Sequence, residues 1–310
     1  FLMKNRIFVM LSILLLVVLI SGCAAGQNGG TQGAINLEDG LGRQVTLTEP
    51  AQRIVSLSPS VTEILFAIGA GEQVIGRDSF SNYPAEVQSI QDVGGSMGNY
   101  SFETIASLQP DLVIAAEINT PEQVKALEDL GLTVYYLSNP VTLDGIYDLL
   151  TTVGELSGHQ DEAAALNAEL RERVNAVVEK LAGVEEKPVV FYELDGSDPA
   201  KPWTPGPGTF VDELIRAAGG ENAAAGLTSA WAQISIEELL VQDPDIIVLG
   251  DSIWGMTAEQ VTARAGWDAL SAVKDGSIHP FNDDLVSRPG PRLVDGLEEL
   301  AKLIHPELFE

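Results

Sequence analysis

Cysteine, histidine and basic side chains are all scarce in this 310-residue chain, and each scarcity removes a class of function. A single cysteine, Cys23, excludes an intramolecular disulfide framework and a Cys-rich zinc site. Three histidines, His159, His279 and His305, are scattered without the spacing of metal ligands, so no metal site and no resident cofactor is expected. Lys and Arg number 17 against 45 Asp and Glu, a formal charge of −28. Phosphate recognition depends on Lys and Arg, so nucleic acid is excluded as a partner and a basic patch on anionic lipid is disfavoured. The remainder is an ordinary globular composition, 45% hydrophobic and 20% charged, long enough for two domains with buried cores.

Long apolar runs are scarce too. The one that stands out, Ile7 to Ile20, follows Lys4 and Arg6 and is short for a membrane span, but it suits the core of a signal peptide. Ser21 and Gly22 directly before the lone cysteine resemble the lipobox of bacterial lipoproteins. That resemblance makes residues 1–22 a lipoprotein signal peptide and Cys23 the lipidated first residue of the mature chain. Removing the segment takes away two cations and no acid, leaving 15 against 45 and a charge of −30. Residues 23–35, rich in Gly, Gln, Asn and Thr, read as a flexible tether. The expected location is extracytoplasmic, with the body in water and the anchor in the membrane.

From Arg53 onward, short β-rich runs alternate with helical stretches. Strands are predicted at Ile54–Leu57, Val74–Gly76, Leu112–Ala115 and Val134–Leu137, then at Val189–Tyr192, Ile246–Leu249 and Ile278–Phe281. Helices such as Val61–Ile68, Pro121–Leu130 and Gly208–Ala218 fall between them. This alternation predicts an α/β fold with parallel sheets. No strand signal interrupts Thr142 to Gly183, where Leu166, Leu170, Val174, Val177, Val178 and Leu181 recur at threes and fours. A helix bracketed by Gly158 and Gly183 is roughly 35 Å long, enough to run along a whole domain. The expected organisation is an N-terminal lobe over 36–140, a linking helical segment over 141–183 and a C-terminal lobe over 184–310, with a ligand cleft between the lobes.

An internal repeat supports two lobes. Ser101-Phe102-Glu103 leads to Pro110-Asp111 and a strand; Ser235-Ile236-Glu237 leads to Pro244-Asp245 and a strand. Glu and Pro are seven residues apart in both copies. Each copy reads as a Ser-capped helix, a Pro-Asp turn and a buried strand. Glu103 and Glu237 admit two readings: complements to the helix dipole, or matched acids that grip a partner carrying basic residues.

In open α/β sheets, ligands sit beyond the carboxyl ends of the strands. The segments there carry Phe80, Tyr83, Trp203 and Trp254, with Trp231 in a loop before the second repeat helix. Aromatics on polar, Gly- and Pro-rich loops fit a binding cleft better than a core, whereas Trp267, in a helix-like stretch, reads as structural. Asp284 and Arg288, four apart, form either a local ion pair or a guanidinium fork offered to a ligand. Arg292 is assigned to the amphipathic terminal helix.

Two serines deserve a hearing as nucleophiles. Gly94-Gly95-Ser96-Met97-Gly98 matches the G-x-S-x-G pattern, but no buried strand precedes it and no helix directly follows. Ser252 follows a good strand yet has no partner motif. A lipid-anchored serine hydrolase is therefore the weaker class, and a non-enzyme is expected.

Arg53 to Glu63 (RIVSLSPSVTE), Ser81-Asn82-Tyr83-Pro84, both Glu-to-Pro-Asp repeats, Gly219-Gly220-Glu221-Asn222 and Gly266 to Leu270 together resemble the solute-binding proteins of bacterial ABC importers, in the group that takes cobalamin, ferric siderophores and haem. The resemblance covers nearly all of the mature chain. It implies two α/β lobes bridged by one long helix, with Glu103 and Glu237 docking onto arginines of a membrane permease that works with an ATPase. The loops are most similar to those of the cobalamin-binding members: Phe80 and Trp231 match pocket aromatics, and Asp284 and Arg288 match the acid and arginine at the corrin edge. Gly95-Ser96-Met97 departs from them, because a pocket tryptophan stands there in those members. A transported corrinoid is the first expectation, a ferric siderophore or haem the alternative; haem would draw on Tyr83 or Tyr100 as an axial ligand.

Overall fold

The computed structural model describes residues 34–95 and 98–309. It opens with an antiparallel hairpin, β1 (Ile35–Glu38) and β2 (Gln44–Leu47). The Asp39 carboxylate holds its turn, accepting the Leu41 and Arg43 backbone N–H groups at 3.0 Å each. Next come β3 (Ile54–Ser56), α1 (Pro59–Ala67), β4 (Val74–Arg77), β5 (Gln91–Asp92), α2 (Phe102–Ser107), β6 (Leu112–Ala116), α3 (Pro121–Asp129) and β7 (Val134–Leu137). The five strands form a parallel sheet in the order β5-β4-β3-β6-β7. Every residue of β3, β6 and β7 is buried. Helices cover both faces of such a sheet, which is why these strands read as unbroken apolar runs rather than alternating ones.

Two helices follow, α4 (Leu143–Ser157) and α5 (Gln160–Leu181), broken at Gly158, whose left-handed φ of 81° ends the first. The 22 residues of α5 span about 33 Å. Leu166, Leu170, Val174, Val177 and Leu181 pack against the core as their spacing predicts. Val178 does not: it lies one residue beyond that stripe and is 50% exposed.

The second half contains β8 (Val189–Glu193), β9 (Trp203–Pro205), α6 (Phe210–Ala217), β10 (Glu221–Asn222), β11 (Trp231–Gln233), α7 (Ile236–Gln242), β12 (Ile246–Leu249), α8 (Ala258–Thr262), α9 (Ser271–Asp275), β13 (Ile278–Pro280) and α10 (Leu293–Ile304). Its parallel sheet runs β10-β8-β12-β13, while β9 and β11 form a two-stranded antiparallel ribbon tied to the end of β8 by an Asp195–Trp203 bridge. One apolar cluster runs unbroken from Ile54 and Leu112 of the first sheet, through Leu150 and Leu170, to Leu297, Val190 and Val248 of the second half. Each sheet also has its own cluster, around Val55 and Val113 in the first lobe and Phe191 and Ile247 in the second. Trp267 belongs to the latter, fully buried edge-on to Phe191 with its N–H donated to Pro199 O at 3.1 Å. It is a core residue, as its sequence context predicts.

Candidate ligand cleft

The carboxyl ends of both sheets open onto one cavity of about 360 Å³. From the first lobe it receives Ser58, Pro59 and Ser60 after β3, Phe80 after β4, Ala116 and Ile118 at β6, and Asn139 after β7. From the second it receives Ile253 and Trp254 after β12, and Asp283, Asp284, Ser287, Arg288 and Pro289 after β13. A strand order that departs from the centre in both directions leaves such a crevice, since loops to either side diverge. Phe80 is 43% and Trp254 78% exposed, so two aromatic faces stand open to a ligand.

Arg288 is the one cation among the residues that line this cavity, and it is fully engaged. Its Nη1 donates to Glu63 Oε1 at 2.9 Å and to Asn82 Oδ1 at 2.7 Å, and its Nη2 meets Asp284 Oδ1 at 2.7 Å. The predicted pair with Asp284 is therefore present, but two further partners come from the other lobe. Burial pushes the nearby Asp283 carboxyl up from its usual range; it accepts the Tyr192 hydroxyl at 2.8 Å. Asp78, behind Phe80, is likewise raised by burial, against hydrogen bonds from Ser81 and Phe80 N–H and the charge of Arg288.

Sequence reasoning missed this junction. Arg292, assigned to the terminal helix, instead crosses to Glu63, with Nε to Oε2 at 2.7 Å and Nη2 to Oε1 at 2.5 Å. A signal was available: Glu63 is the one charge inside the Val61–Ile68 run, which is apolar apart from it and Thr62, and a buried charge needs a partner.

The candidate residues do not all meet. Phe80, Trp254, Asp284 and Arg288 line the cavity together. Tyr83 lines a second cavity of about 490 Å³ with Phe66, Leu170, Arg173 and Arg292, and its ring lies 4.2 Å beneath the Arg292 guanidinium. Trp203 and Trp231 sit on the β9–β11 ribbon, outside the lining of the first cavity; Trp231 packs edge-on to Phe210 at 5.7 Å. Tyr100 donates its hydroxyl to Leu57 O at 2.8 Å and accepts Asn119 Nδ2 at 2.8 Å, and burial pushes it up to about 12. A phenol so engaged is a poor axial ligand. Glu103 and Glu237 are exposed at the second positions of α2 and α7, behind the caps Ser101 and Ser235. Cys23, Ser96 and Met97 lie outside the described residues. Ser252 is locked to the backbone, its Oγ donating to Phe281 O at 2.9 Å and accepting Phe281 N–H at 3.1 Å. Among the described residues the His279 ring has one hydrogen-bond partner, Ser277 Oγ at 3.3 Å, and burial lowers its affinity for protons.

Two parallel-sheet lobes sharing a helical spine and facing each other across a cleft match a known family. Its model, described as periplasmic binding protein, fits residues 54–283. The chain belongs to that family. Among periplasmic binding proteins and their relatives, the ABC transporter substrate-binding lipoprotein YvrC of Bacillus subtilis is 33% identical over 99% of this chain and all of its own length. A cobalamin-binding protein of Halobacterium salinarum is 31% identical over 86% of this chain and 73% of its own. The periplasmic haem-binding protein RhuT of Roseiflexus superposes with a TM-score of 0.74 at 28% identity, over 83% of this chain and 99% of that one. No helix among the described residues is long and apolar enough to cross a membrane.

Proposed function

We propose that this periplasmic binding protein captures a corrinoid of the cobalamin class in the inter-lobe cleft and delivers it to an ABC permease and its ATPase. The carrying observation is the cleft's balance of chemistry: aromatic walls at Phe80 and Trp254, and a single lining cation already neutralised by Glu63 and Asp284. A large ligand decorated with neutral amides needs flat apolar surface and a few polar contacts. Anionic iron chelates and haem propionates need free cations. Arg77, at the end of β4, is buried and committed to Asp92 at 2.8 Å, and Arg264 is committed to Glu193 at the end of β8. A corrinoid exceeds a 360 Å³ cavity, so part of it would stand in solvent with Trp254 laid on its face. The Halobacterium relative, named for cobalamin, supports the same choice.

In this reading Cys23 carries the lipid anchor, in keeping with the lipoprotein named among the relatives. Glu103 and Glu237 dock onto basic residues of the permease. Titration calorimetry of the purified protein with cyanocobalamin, a ferric siderophore and haemin tests the ligand. Saturable sub-micromolar binding of cyanocobalamin is expected. No heat with cyanocobalamin, beside saturable binding of either iron compound, overturns the choice.

A further inference from the structure

We propose that Glu63 is a positioning residue that sets the charge selectivity of the cleft, acting from the first lobe through Arg288 of the second. The inference rests on the reading of this cleft as the ligand site. Glu63 lies in the middle of α1, 3% exposed, between the fully packed Thr62 and Ile64. Its carboxylate takes three hydrogen bonds from two guanidinium groups, and both arginines come from the segment that follows β13. Between them runs Pro289-Gly290-Pro291, packed on α1; a β-carbon at Gly290 would stand 3.6 Å from both Ile64 Cγ1 and Ser60 O. Two prolines fix φ and leave this loop few ways to re-aim the arginines.

Glu63 does not line the 360 Å³ cavity; Arg288 does. On a ligand in that cavity Glu63 therefore acts through the arginine it holds. Ion pairs link Arg288, Arg292, Glu63 and Asp284 into a set of two cations and two anions, with the buried carboxyls of Asp78 and Asp283 also in the field of Arg288. With Glu63 ionised, Arg288 presents N–H donors of fixed direction and little net field, suited to an amide carbonyl. Remove the Glu63 charge and the set is left with one net positive charge, shared between Arg292, which loses its acid, and Arg288, which keeps only Asp284 at the cavity wall, in a partly buried place where screening is weak.

The test is Glu63→Gln, which keeps the size and part of the hydrogen bonding and deletes the charge. Cyanocobalamin, without net charge, and haemin, with two propionates, are titrated against wild type and variant at low and high salt. The haemin-to-cyanocobalamin affinity ratio is expected to rise about tenfold at low salt and less at high salt. A second substitution, Arg288→Gln on the Glu63→Gln background, should return the ratio to the wild-type value. A purely structural role would lower the melting temperature and both affinities alike; an unchanged ratio therefore overturns the proposal. Glu63→Met is the second neutral variant should the amide not fold, with the same change expected. If the wild type binds haemin but no cyanocobalamin, the corrinoid reading falls, while Glu63 is still judged by whether haemin affinity rises in the variant.

Discussion

Gln109 and Asp243 share a backbone conformation that no other described non-glycine residue adopts: both are left-handed, with φ of 50° and 42°. Each stands immediately before the proline of its repeat, Pro110 or Pro244, and ends the helix that carries Glu103 or Glu237. The aspartates that follow those prolines match as well. Asp111 Oδ2 accepts the backbone N–H groups of Gln52 and Arg53, and Asp245 Oδ2 accepts that of Val189, each just before or at the start of the neighbouring strand. The repeat seen in sequence is thus one supersecondary unit used twice, down to its strained residue.

That strain can be relieved at one copy and not the other. Gln109→Gly removes a left-handed side chain that makes no hydrogen bond among the described residues, and is expected to stabilise by a few tenths to about 1 kcal/mol. Asp243→Gly relieves the same strain but deletes hydrogen bonds to Ser271 N and Ser271 Oγ, both 2.8 Å, and is expected to destabilise. Urea unfolding of the two variants beside wild type measures the opposite signs.

Glu103 and Glu237 are what the structural duties of the repeat leave over. Both are exposed, and neither carboxylate has a hydrogen-bond partner among the described residues. A first-turn acid contributes about 0.3–1 kcal/mol through the helix dipole, so reversal to lysine leaves the protein folded. Glu103→Lys with Glu237→Lys should abolish ligand uptake by cells while the affinity of the purified protein changes less than about twofold. A collapse of ligand affinity would remove the docking assignment.

The legible parts of the fold were those written as local runs. All seven predicted strands form within a residue or two of their expected ends; most are short apolar segments bounded by turn chemistry and buried on both faces, while β13, at a sheet edge, keeps only Ile278 buried. The ribbon of β9 and β11 was not legible. Trp203-Thr204-Pro205 and Trp231-Ala232-Gln233 carry no apolar run, and they become strands by pairing with each other across 25 residues of chain. The cleft divides in the same way. Aromatic loops marked Phe80 and Trp254 as candidates, but that Tyr83, three residues from Phe80, turns beneath Arg292 instead is a long-range fact. Glu63 is the intermediate case: its oddness is visible locally, its partners 225 and 229 residues away are not.

Burial of acids gives the protein an unusual response to pH. Asp78, Glu193, Asp251 and Asp283 are all pushed above their ordinary values, in each case chiefly by burial. A carboxyl raised on folding contributes stability that is complete below its unfolded value and lost as pH climbs through its folded one. Acidification from neutral pH toward the ordinary carboxylate range therefore returns that contribution and also relieves the repulsion of a chain at −28. Asp243 and Glu298 run the other way, lowered by hydrogen bonds from Ser271 and Arg173 respectively. Their contribution is lost only as pH falls below the ordinary carboxylate range, near 4. The melting temperature followed by circular dichroism should rise by on the order of 2–5 °C as pH falls from 7 toward the ordinary carboxylate range, then fall steeply below about pH 4. A monotonic fall from pH 7 would show that the buried acids do not govern stability.

Trp254 and Trp203 offer a matched comparison, since both are large exposed aromatics of the second lobe and only the first lines the cleft. At 78% exposure Trp254 contributes little to the fold, so Trp254→Ala should change stability by less than about 0.5 kcal/mol. A ligand lying against the indole would bury most of that surface. Truncation at such a contact commonly costs 2 kcal/mol or more, so cyanocobalamin affinity should fall at least about thirtyfold. Trp203→Ala removes as much aromatic surface from the β9–β11 ribbon and should weaken binding less than about threefold. Intrinsic fluorescence gives a second readout: quenching by the bound corrin should be largely lost in Trp254→Ala and retained in Trp203→Ala. Equal losses in the two variants would place the ligand across the ribbon rather than between Phe80 and Trp254.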